Sequence, residues 1–106
     1  MDATTTPKST TQVATVKLLI GGKFVESKTT QWRNVVNPAT QEVLARVPFA
    51  TQDEVDAAVA SAKEAFKTWR KTAIGARARI FLKLQQLIRE NMGELAAILT
   101  AEQGKT

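Results

Sequence analysis

The last three residues, Gly104-Lys105-Thr106, have the order in which a phosphate-binding P-loop ends. A P-loop also needs a glycine five positions before its second glycine, because backbone amides wrap the phosphates there, and it opens a helix. That position holds Leu99, and the residues before Gly104 have the pattern of a helix that is ending. We therefore interpret Gly104 as the residue past a helix end, with Lys105 offsetting the helix dipole. Nothing around Lys105 indicates the desolvation that a Schiff-base lysine needs.

Paired carboxylates, the usual groups for general acid–base catalysis, occur at Asp53, Glu54 and Asp56. They follow Thr51 in the sequence "TQDE", which is a capping box: the Thr51 hydroxyl accepts the amide of Glu54, whose side chain reaches back. The three acids also oppose the positive end of a helix dipole. Capping therefore explains these residues better than catalysis, since no partner base is evident.

Two further pairs could bind a ligand. Gly21-Gly22 lacks the third glycine and the following helix of a dinucleotide-binding turn, so it favours a two-residue hairpin turn. We expect Arg77 or Arg79 to lie where a helix packs against a sheet and to bind carbonyls or carboxylates there in a structural role. Binding of a ligand by a bidentate arginine is the alternative at this place.

The composition excludes several classes of chemistry. The 106 residues contain no cysteine and no histidine, which removes disulfides, thiolate catalysis, imidazole bases and Cys/His metal sites from this chain. Hydrophobic residues make up 43% and charged residues 24%, as in ordinary globular domains, and no apolar run is long enough to span a bilayer. We expect no membrane anchor and no metal ligands.

A net charge of +5 raises the alternative of a small basic module that binds nucleic acid or an acidic partner. The excess is local, because one acidic residue, Glu64, accompanies eight basic ones: Lys63, Lys67, Arg70, Lys71, Arg77, Arg79, Lys83 and Arg89. Readers of single strands stack bases on exposed aromatic side chains. Phe66, Trp69 and Phe81 lie at or near apolar helix positions and are interpreted as core, which disfavours nucleic-acid binding.

The elements that position these residues fall into three parts. Residues 1–16 are rich in threonine and predict a flexible tail. The tail has no apolar region of a secretory signal, contains no arginine and carries Asp2, so we expect a cytoplasmic protein. Residues 17–48 predict two linked β-hairpins, one around Gly21-Gly22 and one turning at Asn37-Pro38-Ala39-Thr40, with Pro48 ending the pairing.

Residues 51–106 predict amphipathic helices. Val55, Val59, Ala62, Phe66 and Trp69 form an apolar stripe at helical spacing. A second helix has its stripe at Ile80, Leu84, Leu87 and Ile88, and a third places Leu95, Ile98 and Leu99 inward. Gly75 and Gly93 are the expected breaks between the helices.

Five segments follow one another in the order and spacing found at the start of aldehyde dehydrogenases: "LLIGGKFVES", "NPATQEVLARVP", "DEVDAAVASAKEAFKTW", "RARIFLKLQQLI" and "LAAILTAEQGKT". The resemblance runs from about Lys17 to Thr106 and is carried by "NPAT", "AF-x-x-W" and the closing "E-x-GK" together. Within the superfamily, "GGKFVESKT", "NPAT-x-EV" and "QQLI" are most similar to CoA-acylating methylmalonate-semialdehyde dehydrogenases.

This resemblance implies an NAD-dependent enzyme in which a cysteine thiolate attacks an aldehyde, hydride passes to NAD and coenzyme A takes the acyl group. It implies oxidation of methylmalonate or malonate semialdehyde to propionyl-CoA or acetyl-CoA with loss of carbon dioxide, in valine and inositol catabolism, by a homotetramer or other homo-oligomer. Another aldehyde substrate, or NADP, is the alternative within the family. No catalytic, cofactor-binding or metal-binding residue of the family falls on a position of this chain, and Arg77 matches an arginine of structural type.

The expected fold class is therefore α/β: amino-terminal hairpins followed by amphipathic helices that flank a Rossmann-like NAD-binding domain, incomplete on its own. The chain is expected to be the amino-terminal part of a longer enzyme, and inactive alone. Stripes built around Phe66, Trp69, Ile80 and Leu87 would then be exposed where the missing sheet should cover them.

Overall fold

The computed structural model describes residues 13–105 and confirms the α/β class. Five short strands precede three helices. The strands are β1 (Ala14–Thr15), β2 (Leu18–Ile20), β3 (Lys23–Val25), β4 (Trp32–Val36) and β5 (Val43–Pro48), and the helices are α1 (Gln52–Trp69), α2 (Ile74–Glu90) and α3 (Met92–Gln103). No helix in this part of the chain is long and apolar enough to cross a membrane.

The first predicted hairpin is confirmed. Strands β2 and β3 pair antiparallel, with Leu18 opposite Val25 and Ile20 opposite Lys23. Gly21 and Gly22 form the turn with φ of 62° and 77°, values that glycine adopts without the steric penalty of a Cβ. Two consecutive residues with positive φ give the turn type whose twist matches that of the flanking strands.

The second predicted hairpin, β4 with β5, is also present. Its turn is held by Asn37, whose side-chain Oδ1 accepts the amide of Ala39 at 2.9 Å and whose carbonyl accepts the amide of Gln41 at 2.7 Å. The prediction that Pro48 ends the strand is confirmed: β5 and its register with β4 end at Pro48, opposite Trp32, and one further hydrogen bond follows, from the Phe49 amide to the Gln31 carbonyl at 2.9 Å. The nitrogen of Pro48 faces the other edge of β5, beyond the end of β1, where no amide is needed.

Strand β1 is an addition to the predicted elements. Ala14 and Thr15 pair parallel with Ala45 and Arg46, and Val16 donates its amide to the Arg46 carbonyl at 2.9 Å. The sheet order is therefore β1-β5-β4. The predicted tail, residues 1–16, thus overlaps a strand at its end, while residues 1–12 lie outside the described residues.

The helix breaks differ from the predicted ones. Helix α2 begins at Ile74 and α3 at Met92, so Gly75 and Gly93 both lie inside a first helical turn. The breaks fall instead at residues 70–73 and at Asn91. The side-chain Nδ2 of Asn91 donates to the Leu87 carbonyl at 2.8 Å. Glycine in a helix costs about 1 kcal/mol relative to alanine, mainly in backbone entropy, which is too little by itself to end a helix.

The described residues form an extended body without a core. No hydrophobic side chain in residues 13–105 is buried, and the body measures 64 × 36 × 21 Å. Its radius of gyration is 18.8 Å, whereas a compact domain of 100 residues has about 13 Å. The expected exposure of Phe66, Trp69, Ile80 and Leu87 is present. The interpretation of Phe66, Trp69 and Phe81 as core is wrong for this chain alone, since helices that barely touch one another cannot cover them.

Candidate functional site

The carboxylates at the start of α1 serve as a cap. Thr51 is the N-cap residue and forms the full capping box with Glu54, whose amide donates to Thr51 Oγ1 at 3.2 Å. Glu54 Oε1 in turn accepts the Thr51 amide at 2.9 Å. Asp56 accepts a hydrogen bond from Gln52 Nε2 at 2.9 Å. Both hydrogen bonds of the predicted capping box between Thr51 and Glu54 are therefore present.

Glu54 also binds the chain that leaves the β2–β3 hairpin. Ser27 Oγ donates to Glu54 Oε1 at 2.7 Å, and the amide of Lys28 donates to Oε2 at 2.8 Å. We call Ser27, Lys28, Thr51 and Glu54 the Glu54 clasp. A capping box indicates contacts within one helix turn only, so the sequence pattern gave no signal for Ser27 or Lys28. The clasp joins segments that lie 26 and 27 residues apart.

The clasp fixes the charge state of Glu54. The Ser27 hydroxyl, followed by the backbone amides of Lys28 and Thr51, lowers the pKa of Glu54 from 4.5 to about 2. Each donor stabilises the carboxylate over the carboxylic acid. A general base at neutral pH needs a pKa near the working pH and a free lone pair directed at the substrate. The pKa of Glu54 lies far below that range, and both of its oxygens already accept hydrogen bonds from the protein.

The hairpin packs on a different face of α1 from the one that the apolar stripe predicts. Ala58, Ser61 and Ala65 line an open groove of about 780 Å³ together with the Gly21-Gly22 turn. A Cβ placed on Gly21 would lie 3.3 Å from Ser61 Oγ, which shows how closely the turn approaches the helix. Small side chains allow this approach, and the large apolar side chains of α1 remain free on the neighbouring face.

Arg77 and Arg79 have separate surroundings. The guanidinium of Arg77 lies over the ring of Trp69, 6.0 Å from its centroid, and thereby connects α2 to the end of α1. This cation–π contact joins two helices, and it differs from the expected role of holding carbonyls or carboxylates at a seam between a helix and a sheet, which stays a prediction. Arg79 lies on the exposed side of α2 beside Ile80 and Lys83. The structure does not bring the two arginines together around a common ligand.

The terminal Gly104-Lys105 is a helix exit. Gly104 has φ of 75° and donates its amide to the Thr100 carbonyl at 2.8 Å, closing α3, while Thr106 lies outside the described residues. A P-loop needs the opposite order, with the helix beginning after the glycines. The geometry thus excludes phosphate binding of the P-loop kind at Gly104.

The left-handed conformation makes Gly104 sensitive to substitution. Gly104→Ala is expected to fray the last turn of α3 by about 1 kcal/mol, since a Cβ is disfavoured at positive φ. A Cβ there would lie 3.5 Å from Pro38 Cγ, an ordinary contact, so the penalty comes from the backbone. Amide exchange at residues 100–104, followed by nuclear magnetic resonance, measures the fraying.

Gly93→Ala is the matched control for this prediction. Gly93 lies in the first turn of α3 without positive φ, and no atom lies within 4 Å of its would-be Cβ. Alanine there should strengthen α3 by up to about 1 kcal/mol, because alanine has the better helix propensity. Equal exchange rates in wild type and Gly104→Ala would contradict the assignment of Gly104 as a conformational stop.

Cofactor binding has little support among the described residues. In residues 13–105 no group of three or more His, Cys, Asp or Glu side chains could hold a metal ion. The connection from β5 to α1, residues 49–51, contains no glycine, and the Gly21-Gly22 pair lies in a hairpin turn. The Rossmann dinucleotide-binding turn is glycine-rich and lies between a strand and a helix N-terminus, and neither of these two segments has that arrangement.

The basic residues lie on exposed helix positions. Lys67 pairs with Glu64 at 2.7 Å, with both side chains about three-quarters exposed, so the pair adds little stability. The guanidinium of Arg70 lies over the ring of Phe66, 5.9 Å from its centroid, and so covers part of one face of that ring. The surface therefore has charge but no defined cleft for a nucleic acid.

Comparison with known proteins identifies the chain more sharply than its own side chains do. A sequence model described as the aldehyde dehydrogenase family matches residues 24–106. The human methylmalonate-semialdehyde/malonate-semialdehyde dehydrogenase [acylating] is 56% identical over 94 residues, which cover 89% of this chain and 18% of the human protein. Its mouse counterpart is 54% identical over 98 residues, covering 92% of this chain and 18% of the mouse protein.

A solved structure shares the arrangement of strands and helices. The NAD-complexed crystal structure of a protein assigned as a methylmalonate-semialdehyde dehydrogenase, from Sinorhizobium meliloti 1021, has a TM-score of 0.81 and 39% identity. The match covers 87% of this chain and 19% of that protein. This chain thus spans about a fifth of the length of the relatives it matches.

The expectation of a cytoplasmic protein is wrong. The human and mouse relatives are both named as mitochondrial, and they match this chain over nearly all of its length. The absence of arginine from residues 1–16 is therefore a poor guide to the compartment. Amphipathicity and the content of serine and acidic residues also characterise targeting segments, so one residue type does not decide the matter.

The resemblance noted in the sequence is confirmed at the level of the family and its subgroup of relatives. The family match covers most of the chain, the two mammalian relatives share more than half of their aligned residues with it, and the fold is the same. The chain belongs to the aldehyde dehydrogenase family.

Proposed function

We propose that this chain is the amino-terminal part of an NAD-dependent, CoA-acylating dehydrogenase that oxidises methylmalonate or malonate semialdehyde to propionyl-CoA or acetyl-CoA with loss of carbon dioxide. The identity of 56% to the human enzyme over 94 residues carries this proposal. Relatives with that degree of identity in a scaffold segment have the same fold and commonly the same substrate class. The NAD bound in the Sinorhizobium meliloti structure supports NAD as the cofactor.

In this proposal the chain supplies scaffold and no reacting group. It has no cysteine for thiolate attack, Glu54 is occupied in capping α1, and its glycine pair forms a hairpin turn. NAD and coenzyme A would be held by the remainder of the parent protein. The 106 residues alone are therefore expected to be inactive, and the homo-oligomer is a property proposed for the parent.

The three-part division of the chain belongs to the same proposal. We assign residues 1–16 to an amino-terminal tail whose end contributes strand β1, residues 17–48 to the hairpin region and residues 51–106 to helices that flank the NAD-binding domain. The Glu54 clasp supports treating the hairpin region and α1 as one rigid unit, because it joins them by hydrogen bonds from Ser27 and Lys28.

The intact mass of the source-cell protein that contains the sequence Glu64–Arg70, "EAFKTWR", tests the proposal. We expect a mass about five times that of the 11.6 kDa chain, since relatives are about five times as long. The purified parent should then reduce NAD with methylmalonate semialdehyde only when coenzyme A is present for turnover. A mass near 11.6 kDa would contradict the proposal and return attention to the basic surface, whose binding to an acidic partner would weaken steeply with salt.

A further inference from the structure

Most of the large apolar side chains of helix α2 share one face, which is open to solvent. At about 100° per residue, five of them fall within about a third of the helix circumference: Leu87, Ile80, Leu84, Ile88 and Phe81. All five are exposed, with Phe81 at 61%. We call these five residues the apolar face of α2. Leu82 lies on the opposite side of the helix, where its neighbours Gln86 and Arg89 are polar.

Basic side chains border the apolar face on both of its edges. Arg79 and Lys83 line one edge, in a groove of about 440 Å³. Arg89 lies at the other edge, in a groove of about 310 Å³. Leu84 lines both grooves, so apolar surface continues from one basic edge to the other. Glu90 is the only acidic residue of α2, so little within the helix offsets these cations.

Arg77 is the basic residue that falls among the positions of the apolar face. It lies in the first turn of α2, two turns before Leu84, and its guanidinium lies over the ring of Trp69, 6.0 Å from the centroid. Arginine and tryptophan both combine an apolar body with a polar tip, and such side chains favour the boundary between lipid and water. Arg77 is therefore compatible with contact between this face and a lipid surface.

An apolar face with cations along both edges is complementary to an anionic lipid surface. The acyl chains would take up the apolar side chains, and the phosphates of the headgroups would lie against Arg79, Lys83 and Arg89. A nucleic acid would neutralise the cations but leave the apolar face in water. A second copy in symmetric contact would place Arg79 and Lys83 against the same residues of its partner, and like charges oppose association.

We propose that α2 of the 106-residue chain binds the surface of an anionic phospholipid bilayer and lies in the plane of that surface. The binding is peripheral, since no helix in residues 13–105 is long and apolar enough to cross a membrane. It goes beyond the proposed function and does not depend on it. In the proposed longer enzyme this face would be covered, so the inference concerns the chain free of that enzyme.

Flotation of the 106-residue chain with lipid vesicles tests the charge complementarity. Vesicles of phosphatidylglycerol and phosphatidylcholine in equimolar mixture provide the anionic surface, and vesicles of phosphatidylcholine alone are the reference. We expect the chain to bind the anionic vesicles at least about tenfold more strongly, because each cation near the surface adds attraction. Arg79→Gln combined with Lys83→Gln should weaken this binding by about thirtyfold. Lys17→Gln combined with Lys23→Gln removes the same charge from the exposed hairpin region and should weaken it little.

Leu84→Gln and Leu82→Gln form a matched pair that tests the apolar face. Both replace an exposed leucine of α2 without changing the net charge, and both change helix propensity equally. Leu84→Gln should weaken binding to the anionic vesicles by about tenfold, because a leucine that enters the lipid is lost. Leu82→Gln should leave the binding unchanged, since Leu82 lies on the opposite side of the helix.

Three outcomes would overturn the inference. Equal binding to the two kinds of vesicle, or none to the anionic ones, would exclude the anionic surface as the partner. Equal losses in Leu84→Gln and Leu82→Gln would show that the apolar face stays out of the lipid. Tighter binding to duplex DNA than to the anionic vesicles, unaffected by Leu84→Gln, would assign the cations to nucleic acid. Dehydrogenase activity is not part of these measurements, so each of these outcomes leaves the proposed function intact.

Discussion

Glu54→Gln is expected to release the β2–β3 hairpin from α1 while the helix keeps its cap. Glutamine at this capping-box position can still present a carbonyl oxygen to the Thr51 amide. Its amide nitrogen carries only donors, however, and would face the Lys28 amide, which now donates to Glu54 Oε2 at 2.8 Å. The Lys28 amide should therefore exchange with solvent much faster in the variant, while the Thr51 amide keeps most of its protection.

Acid should have the same effect on the wild-type chain. The Ser27 hydroxyl, then the Lys28 and Thr51 amides, lowers the pKa of Glu54 from 4.5 to about 2 in the folded state. A group whose folded pKa is lowered stabilises the fold fully above its unfolded pKa and loses that contribution as the pH falls through the folded value. Protection of the Lys28 amide should accordingly be constant above pH 4.5 and disappear toward pH 2.

Asp53→Asn is the matched control for both experiments. Asp53 lies in the same first turn of α1 and opposes the same helix dipole, but the clasp does not include it. This variant should keep Lys28 protected and retain the acid transition, which Glu54→Gln should lack. If the Lys28 amide stays protected in Glu54→Gln, the hairpin must be held by its apolar contacts with α1 and the clasp would be incidental.

Local patterns in the sequence predicted the features that depend on neighbouring residues. The capping box at Thr51 and Glu54, the Gly21-Gly22 turn and the left-handed Gly104 are each fixed by a few adjacent residues. Long-range features were missed. The parallel pairing of β1 with β5 joins residues 31 apart, Ala14 with Ala45, and two residues are too few to form a pattern.

The candidate site was harder to predict than the fold. Ser27 reaches Glu54 only because the hairpin lies on the small-residue face of α1, at Ala58 and Ser61. Hydrophobic periodicity predicts that the hairpin packs on the other face of α1, because Val59 and Phe66 are more hydrophobic than alanine and serine. If the chain is part of a longer enzyme, as proposed, its largest side chains mark the surface that the rest of the enzyme would cover. Close approach of the hairpin needs the small ones.

The 106-residue chain on its own is expected to lack a cooperative unfolding transition. Cooperative unfolding requires a core whose contacts are lost together, and no hydrophobic side chain in residues 13–105 is buried. The exposed faces of α1 and α2 should also bind a hydrophobic dye strongly and promote self-association. Circular dichroism during heating, with dye fluorescence and sedimentation velocity over a range of concentrations, measures all three properties.

The control for this prediction is the unfolding and dye binding of the proposed parent protein. If the chain is part of a longer enzyme, as proposed, the same helices in that parent should unfold in a sharp transition and bind little dye, because the remainder of the parent would cover Phe66 and Phe81. A sharp transition in the isolated chain, with a monomeric sedimentation coefficient at all concentrations, would mean that these 106 residues form a complete domain. Their helices would then have to pack together in solution and bury the apolar faces that are exposed here.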